Sequence, residues 1–125
     1  MMYAVSIGSN FQHLDAFAQA KRALSQLGGC QFSACFELPD RDGSAQVFWN
    51  MAALVDSPIG QATEFERLLH QIEADCGRIR PSKQVRLDLD LIAYGQDQAS
   101  LQILPKRLPL TVDVQMPLQT LWPQC

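Results

Sequence analysis

Val85-Arg86-Leu87-Asp88-Leu89-Asp90-Leu91-Ile92-Ala93-Tyr94-Gly95 decides the fold of this chain. Val85, Leu87, Leu89, Leu91 and Ala93 alternate with Arg86, Asp88, Asp90, Ile92 and Tyr94. That period of two sends successive side chains to opposite faces of a strand, one apolar face for a core and one face with two carboxylates. Gly95 closes the run. Two residues of strand span about 6–7 Å, so Asp88 and Asp90 leave the same face as like charges that repel. Asp gains little from packing in a strand, and the pair therefore asks for a countercharge. Magnesium suits it, as a hard ion that takes carboxylate oxygens together with waters and phosphates. A solvated face neutralised by Arg or Lys suits it equally well, and the strand alone does not separate the two.

Upstream, Arg78, Arg80, Lys83 and Arg86 put four cations within nine residues. Arginine forks match phosphate oxygens, although a solvated basic loop would look the same. Before them lies a helix: Thr63-Glu64-Phe65-Glu66 has the form of a capping box, and Phe65, Leu68, Leu69, Ile72 and Cys76 follow at helical spacing up to Gly77. Glu73, one turn before the basic loop, reads as an ion-pair partner for the arginines or as a solvent-facing residue. Val47 to Val55 is a strand with Phe48, Asn50, Ala52 and Leu54 on one face and Trp49, Met51, Ala53 and Val55 on the other.

Cys30 to Leu38 alternates as one half-buried strand ending at Pro39, and Asp40-Arg41-Asp42-Gly43-Ser44 is a polar loop. Phe17, Ala20, Leu24 and Leu27 mark a helix from Leu14, with Gly28-Gly29 as a left-handed stop. Tyr3 to Ile7 is a buried strand, and Gly8-Ser9-Asn10 supplies a turn and a helix cap. After Gly95 come short apolar runs broken by Pro105, Pro109, Pro117 and Pro123. The order β-α-β-β-α-β predicts a ferredoxin-like α+β fold, an antiparallel sheet with both helices on one face, in one domain over residues 1–125.

At 125 residues with 47% hydrophobic content, the chain can bury a core without a disulfide or metal. Its four cysteines include no CxxC pair and are not spaced with His13 and His70 like zinc ligands; Cys30, Cys35 and Cys76 read as small hydrophobes, and both histidines as solvent-facing. No secretory leader and no apolar run of ~20 residues is present, which predicts a cytoplasmic protein that does not enter a membrane. A net charge of -3 leaves no broad basic face for nucleic acid. Asn50 carries a donor and an acceptor that fit the edge of a planar heterocycle, with Phe48 on the same face to stack on it; a core Phe48 and an exposed Asn50 fit the pattern as well.

Ile7-Gly8-Ser9-Asn10, Phe48-Trp49-Asn50, Ile72-Glu73 with Gly77-Arg78-Ile79-Arg80, and Arg86-Leu87-Asp88-Leu89-Asp90-Leu91-Ile92-Ala93-Tyr94-Gly95 together resemble the 6-hydroxymethyl-7,8-dihydropterin pyrophosphokinase family across most of the chain. The resemblance implies transfer of pyrophosphate from ATP to the hydroxymethyl group of the pterin in folate biosynthesis, with two magnesium ions. By position, Asp88 and Asp90 would hold the metals, and Phe48, Asn50, Leu38 and Pro39 would form the pterin pocket. Glu73 and Lys106 would lie at the nucleotide, and Arg78, Arg80 and Arg86 would be the catalytic cations. The family's Trp-Gly-Pro-Arg-Thr stretch is replaced by the shorter Pro81-Ser82-Lys83-Gln84-Val85-Arg86, and its Pro-His by Pro105-Lys106. Thr111, Val112 and Asp113 stand near the places of its later Arg and Phe. Besides an active kinase, these departures admit a paralogue that binds a pterin-like or nucleotide ligand without turnover, or a non-enzymatic ferredoxin-like interaction module. Oligomeric state is not legible.

Overall fold

The computed structural model describes residues 1–39, 46–77 and 84–125; the polar loop after Pro39 and the basic residues Arg78, Arg80 and Lys83 lie outside them. In chain order the elements are β1 (Met2–Ser9), α1 (His13–Ser25), β2 (Gly29–Phe32), β3 (Phe36–Pro39), β4 (Val47–Asp56), α2 (Ala62–Asp75), β5 (Asp88–Gly95), β6 (Gln102–Ile103) and α3 (Val112–Gln119). Short 3-10 turns occupy Gln98–Ser100 and Pro105–Arg107. The sheet runs β2-β4-β1-β5-β6, with β3 also on β4, and all these pairings are antiparallel. With β2 and β3 taken as one broken strand, this is the predicted ferredoxin-like order. Among the described residues, no helix is long and apolar enough to cross a membrane.

β1 sits between β4 and β5 and is buried from Tyr3 to Ser9, so its alternation sorts the core into two layers. Tyr3, Val5 and Ile7 join Met51, Ala53 and Val55 of β4 and Leu89 and Leu91 of β5 beneath α1 and α2. Tyr3 stacks on Phe65 at 3.8 Å, and its hydroxyl donates to Ile59 O at 2.6 Å. On the opposite face, Ala4, Ala52, Leu54, Ile92 and Ala93 pack against Leu118 of α3 and Trp122. The proline-broken tail therefore contains a third helix that the sequence reading did not identify, and it covers the far end of the second face.

Several local expectations are corrected. The strand from Cys30 to Leu38 is two strands: Phe32 pairs with Ala53 but Phe36 with Asn50, so one extra residue is absorbed between them. Ser33 holds the break, accepting from Ala52 N at 2.8 Å and donating to Ala34 O at 2.8 Å. Cys35 is exposed there, whereas Cys76 is buried and its thiol is pushed up in pKa by that burial. In β5, Val5 pairs with Leu91 and Ala4 with Ala93, so a bulge at Ile92 ends the strict alternation. Ala93 then faces the second layer, and Tyr94 pairs with Tyr3.

The capping box is not formed. α2 starts at Ala62 behind Gln61 with no side-chain cap, and Glu66 instead meets Lys106 at 3.0 Å. Ser9 and Asn10 do not cap α1, which begins after Gln12. Asn10 clamps the approach to β5, donating its N–H to Val85 O at 2.8 Å and accepting Val85 N–H on Oδ1 at 2.6 Å. His13 stacks on Trp49 at 3.9 Å and does not face solvent alone. Nor is Gly28 a left-handed stop, since Gly77 is the glycine with positive φ among the described residues. Its role is close approach: a Cβ there would lie 2.1 Å from Asp56 O.

Gly28→Ala forces β4 backbone aside and is expected to lower stability by about 1–3 kcal/mol. Gly29→Ala, with nothing within 4 Å of its Cβ position, leaves it within ~0.5 kcal/mol. Urea midpoints for the two variants check the contrast.

Candidate functional site

Beyond the apolar layer under Leu118 and Trp122, a cleft opens between the second sheet face and the first turn of α3. Cross-strand register builds its floor: Gly8 of β1 lies opposite Asn50 on one side and Asp88 on the other, and Ser6 opposite Ala52 and Asp90. Side chains two apart share a face, so Asn50, Asp88, Asp90 and Ser6 converge. The cleft is lined by Ser6, Gly8, Pro39, Phe48, Asn50, Asp88, Asp90, Asp113 and Val114. Gly8 leaves the gap in the middle of this row. A Cβ on it would sit 3.3 Å from Asn50 Oδ1 and 3.8 Å from the Phe48 ring, filling the space between the amide and Asp88.

Asn50 is 4% exposed, and its Nδ2 has no hydrogen-bond partner. A buried donor left unmade costs about 1–3 kcal/mol, a cost that a ligand acceptor in the cleft would remove. The free cleft is narrow, about 30 Å³, far below the several hundred typical of small-molecule pockets. A bicyclic ring enters only if lining side chains such as Pro39, Phe48 and Val114 move apart.

Glu73 does not face solvent, which removes the solvent-facing reading of the sequence. It is 3% exposed and accepts the backbone N–H of Leu89 on Oε2 at 2.8 Å. Leu89 stands between Asp88 and Asp90, so a carboxylate from α2 holds the strand segment that presents both aspartates. Arg107 performs the matching service two residues on, donating Nε–H to Leu91 O at 3.0 Å. Its Nη2 lies 3.5 Å from Asp90 Oδ1 and 3.8 Å from Glu66 Oε2.

The other predicted residues divide. Phe48, Asn50, Asp88, Asp90 and Pro39 come together, while Leu38 pairs with Phe48 in the sheet without lining the cleft. Lys106 belongs to an adjoining cavity of about 230 Å³ that also takes in Asp90, Arg107, Thr111 and Val114. Arg86 is not brought to the aspartates. Its guanidinium donates from Nη1 to Gln12 and from Nη2 to Gln19 at 2.8 Å, because the chain bends before β5 and turns the side chain toward α1. Arg78 and Arg80 lie outside the described residues.

Sequence reasoning missed Ser6, Val114 and Arg107 as site residues. Ser6 had a signal, its even spacing from Gly8; Val114 and Arg107 had none, because they arrive from a segment whose path only packing determines. Among the described residues, no group of three or more His, Cys, Asp or Glu side chains could hold a metal ion. Asp88 and Asp90 nonetheless offer the hard carboxylate oxygens that magnesium takes, with the remaining positions open to water and phosphate oxygens. The donor set fits such an ion.

The sequence model of the 7,8-dihydro-6-hydroxymethylpterin-pyrophosphokinase (HPPK) family matches residues 4–123, a span that includes every residue of the cleft. Comparison with curated protein sequences gives no match.

Replacing Glu73 tests the strand support. Glu73→Leu leaves the Leu89 N–H buried without an acceptor and should cost about 1–3 kcal/mol, while Glu73→Gln keeps an acceptor oxygen and should cost less. Chemical denaturation of both variants measures the difference.

Proposed function

Because the chain belongs to the 7,8-dihydro-6-hydroxymethylpterin-pyrophosphokinase family, we propose that it transfers pyrophosphate from ATP to the hydroxymethyl group of 6-hydroxymethyl-7,8-dihydropterin, a step of folate biosynthesis, releasing AMP. The observation that carries this reading is the buried Asn50 amide, with its unmet Nδ2 donor, facing the same cleft as Asp88 and Asp90. An amide that donates and accepts on one planar edge suits the pterin ring. Phe48, Val114 and Pro39 supply apolar lining beside it.

Asp88 and Asp90 are the proposed magnesium ligands. Magnesium, when bound, would supply charge neutralisation of the polyphosphate, the larger part of catalysis in phosphoryl-type transfer. The chain's own residues do the positioning: Glu73 and Asn10 hold β5 from either end of its approach. Lys106 and the cavity beside Asp90 give the polyphosphate a cationic wall. Arg78 and Arg80 are the proposed loop cations, and Arg86 serves the fold through α1 and is not assigned to the phosphates.

Two observations favour a second reading, a family member that binds its ligands without turnover: the narrow cleft and the diversion of Arg86 toward α1. Loss of one positioned cation at such a site costs on the order of 10³-fold or more in rate. An assay for AMP from ATP, hydroxymethyldihydropterin and magnesium decides between them. The kinase reading expects AMP above background that falls by at least ~100-fold in Asp88→Asn and Asp90→Asn. AMP at background with calorimetric binding of pterin or magnesium-ATP selects the second reading, and equal activity in both Asn variants removes the metal role of this strand.

A further inference from the structure

We propose that Asp113 is a specificity-determining residue of the cleft, accepting two adjacent N–H groups from the 2-amino-4-oxo edge of the ligand ring and rejecting a ring with oxygen in place of the amino group. The inference rests on the reading of the cleft as the pterin site. The strands supply the other lining residues, and α3 supplies Asp113 and Val114. Asp113 is the second residue of α3, which begins after Thr111, and a helix N-terminus favours the negative charge placed there. One of its oxygens, Oδ1, is buried, and the side chain is engaged with the rest of the chain at rest. Asp113 does not join Asp88 and Asp90 as a third metal ligand, since among the described residues no three such side chains are grouped to hold an ion. Its place is with the organic part of the ligand, and Asn50 shows which edge of that part it meets.

Asn50 is 4% exposed, lines the same cleft and has an Nδ2 donor with no hydrogen-bond partner. The ligand edge therefore needs an acceptor for that donor. A carboxylate accepts and does not donate, so the same edge needs donors next to its acceptor. A 2-amino-4-oxo edge has that order: the O4 acceptor, then the ring N3–H, then the amino group. Asn50 donates from Nδ2 to O4, and Asp113 takes N3–H and one amino N–H on its two oxygens, the parallel pairing by which a carboxylate holds an arginine fork. Oxygen in place of the amino group changes the order to acceptor, donor, acceptor. A carbonyl then meets the carboxylate with no proton between them, and a site that leaves polar groups so opposed rejects the ring.

Calorimetric titration of the full chain, with magnesium and α,β-methylene-ATP present, against 6-hydroxymethylpterin and 6-hydroxymethyllumazine tests the match, because the lumazine carries oxygen where the pterin carries its 2-amino group. The parent is expected to prefer the pterin by at least ~tenfold, a charge-assisted pairing being exchanged for a repulsion. Asp113→Asn offers one acceptor and one donor, which fit N3–H and the new carbonyl, so the preference should fall by at least ~tenfold and move toward the lumazine. Asp113→Ser, too short to meet both atoms, should bind the two rings within ~threefold of each other. A merely structural acid would weaken both rings by the same factor. An unchanged ratio in the variants, loss of both rings in Asp113→Asn, or a parent that binds the rings equally overturns the role of Asp113 and leaves the pterin site standing. A parent that binds neither ring removes the reading of the cleft, and this inference with it. Should Asp113→Asn not fold, the ratio in Asp113→Ser decides.

Discussion

Glu73 reaches from α2 to the flank of β5 and accepts the Leu89 N–H at 2.8 Å while 3% exposed. β5 is paired with β1 along most of its length but with β6 only at Ala93 and Tyr94. The Asp88–Leu91 part therefore has an edge with backbone groups to satisfy. Leaving such groups buried and unmet is costly, and two charged side chains meet the need, Glu73 at the Leu89 N–H and Arg107 at the Leu91 carbonyl. Asp90 lies between these two supports, and Asp88 immediately before the first. The position of the carboxylates follows from how α2 and the turn at Pro105–Arg107 dock on one strand edge.

The same arrangement explains why charged residues cluster without destabilising the chain. Glu66, Lys106, Arg107 and Asp90 form a connected set from α2 through the turn to β5. Such half-exposed pairs contribute little each, but together they keep like charges apart and tie three segments that share no sheet pairing. The second face of the sheet is divided by the same logic. Where Leu118 and Trp122 cover it, the residues are Ala, Leu and Ile; where they stop, they are Ser6, Gly8, Asn50, Asp88 and Asp90.

Much of this was legible beforehand. The alternation of β4 put Asn50 and Phe48 on one face and Met51, Ala53 and Val55 on the other, as found, but only the structure shows that the second set lies in the core and that Asn50 is buried and not exposed. Pairing Asp88 with Asp90 needed only the strand period. Errors arose where geometry changed the count of residues without changing composition. The bulge at Ile92 and the break at Ser33 each absorb one residue, and neither has a distinctive residue to announce it. The capping pattern at Thr63 failed because Glu66 has a better partner in Lys106, 40 residues away, which no local window contains. The solvent-facing reading of Glu73 fails for a related reason: only the edge of β5 gives this carboxylate a buried donor, and no local window contains it.

By itself, the sequence determined the element order, the faces of β4 and β5, the carboxylate pair and the family resemblance, because these depend on periodicity and on motifs contiguous in the chain. Tertiary structure alone decided that Gly8 opens the gap between Asn50 and Asp88, that α3 covers half of a face, that Arg86 turns to α1, and that Arg107 meets Asp90. Those outcomes depend on strand register and on where distant segments dock. Register and docking are settled by the sum of many weak packing and hydrogen-bond terms, none of which is written in a local stretch of residues.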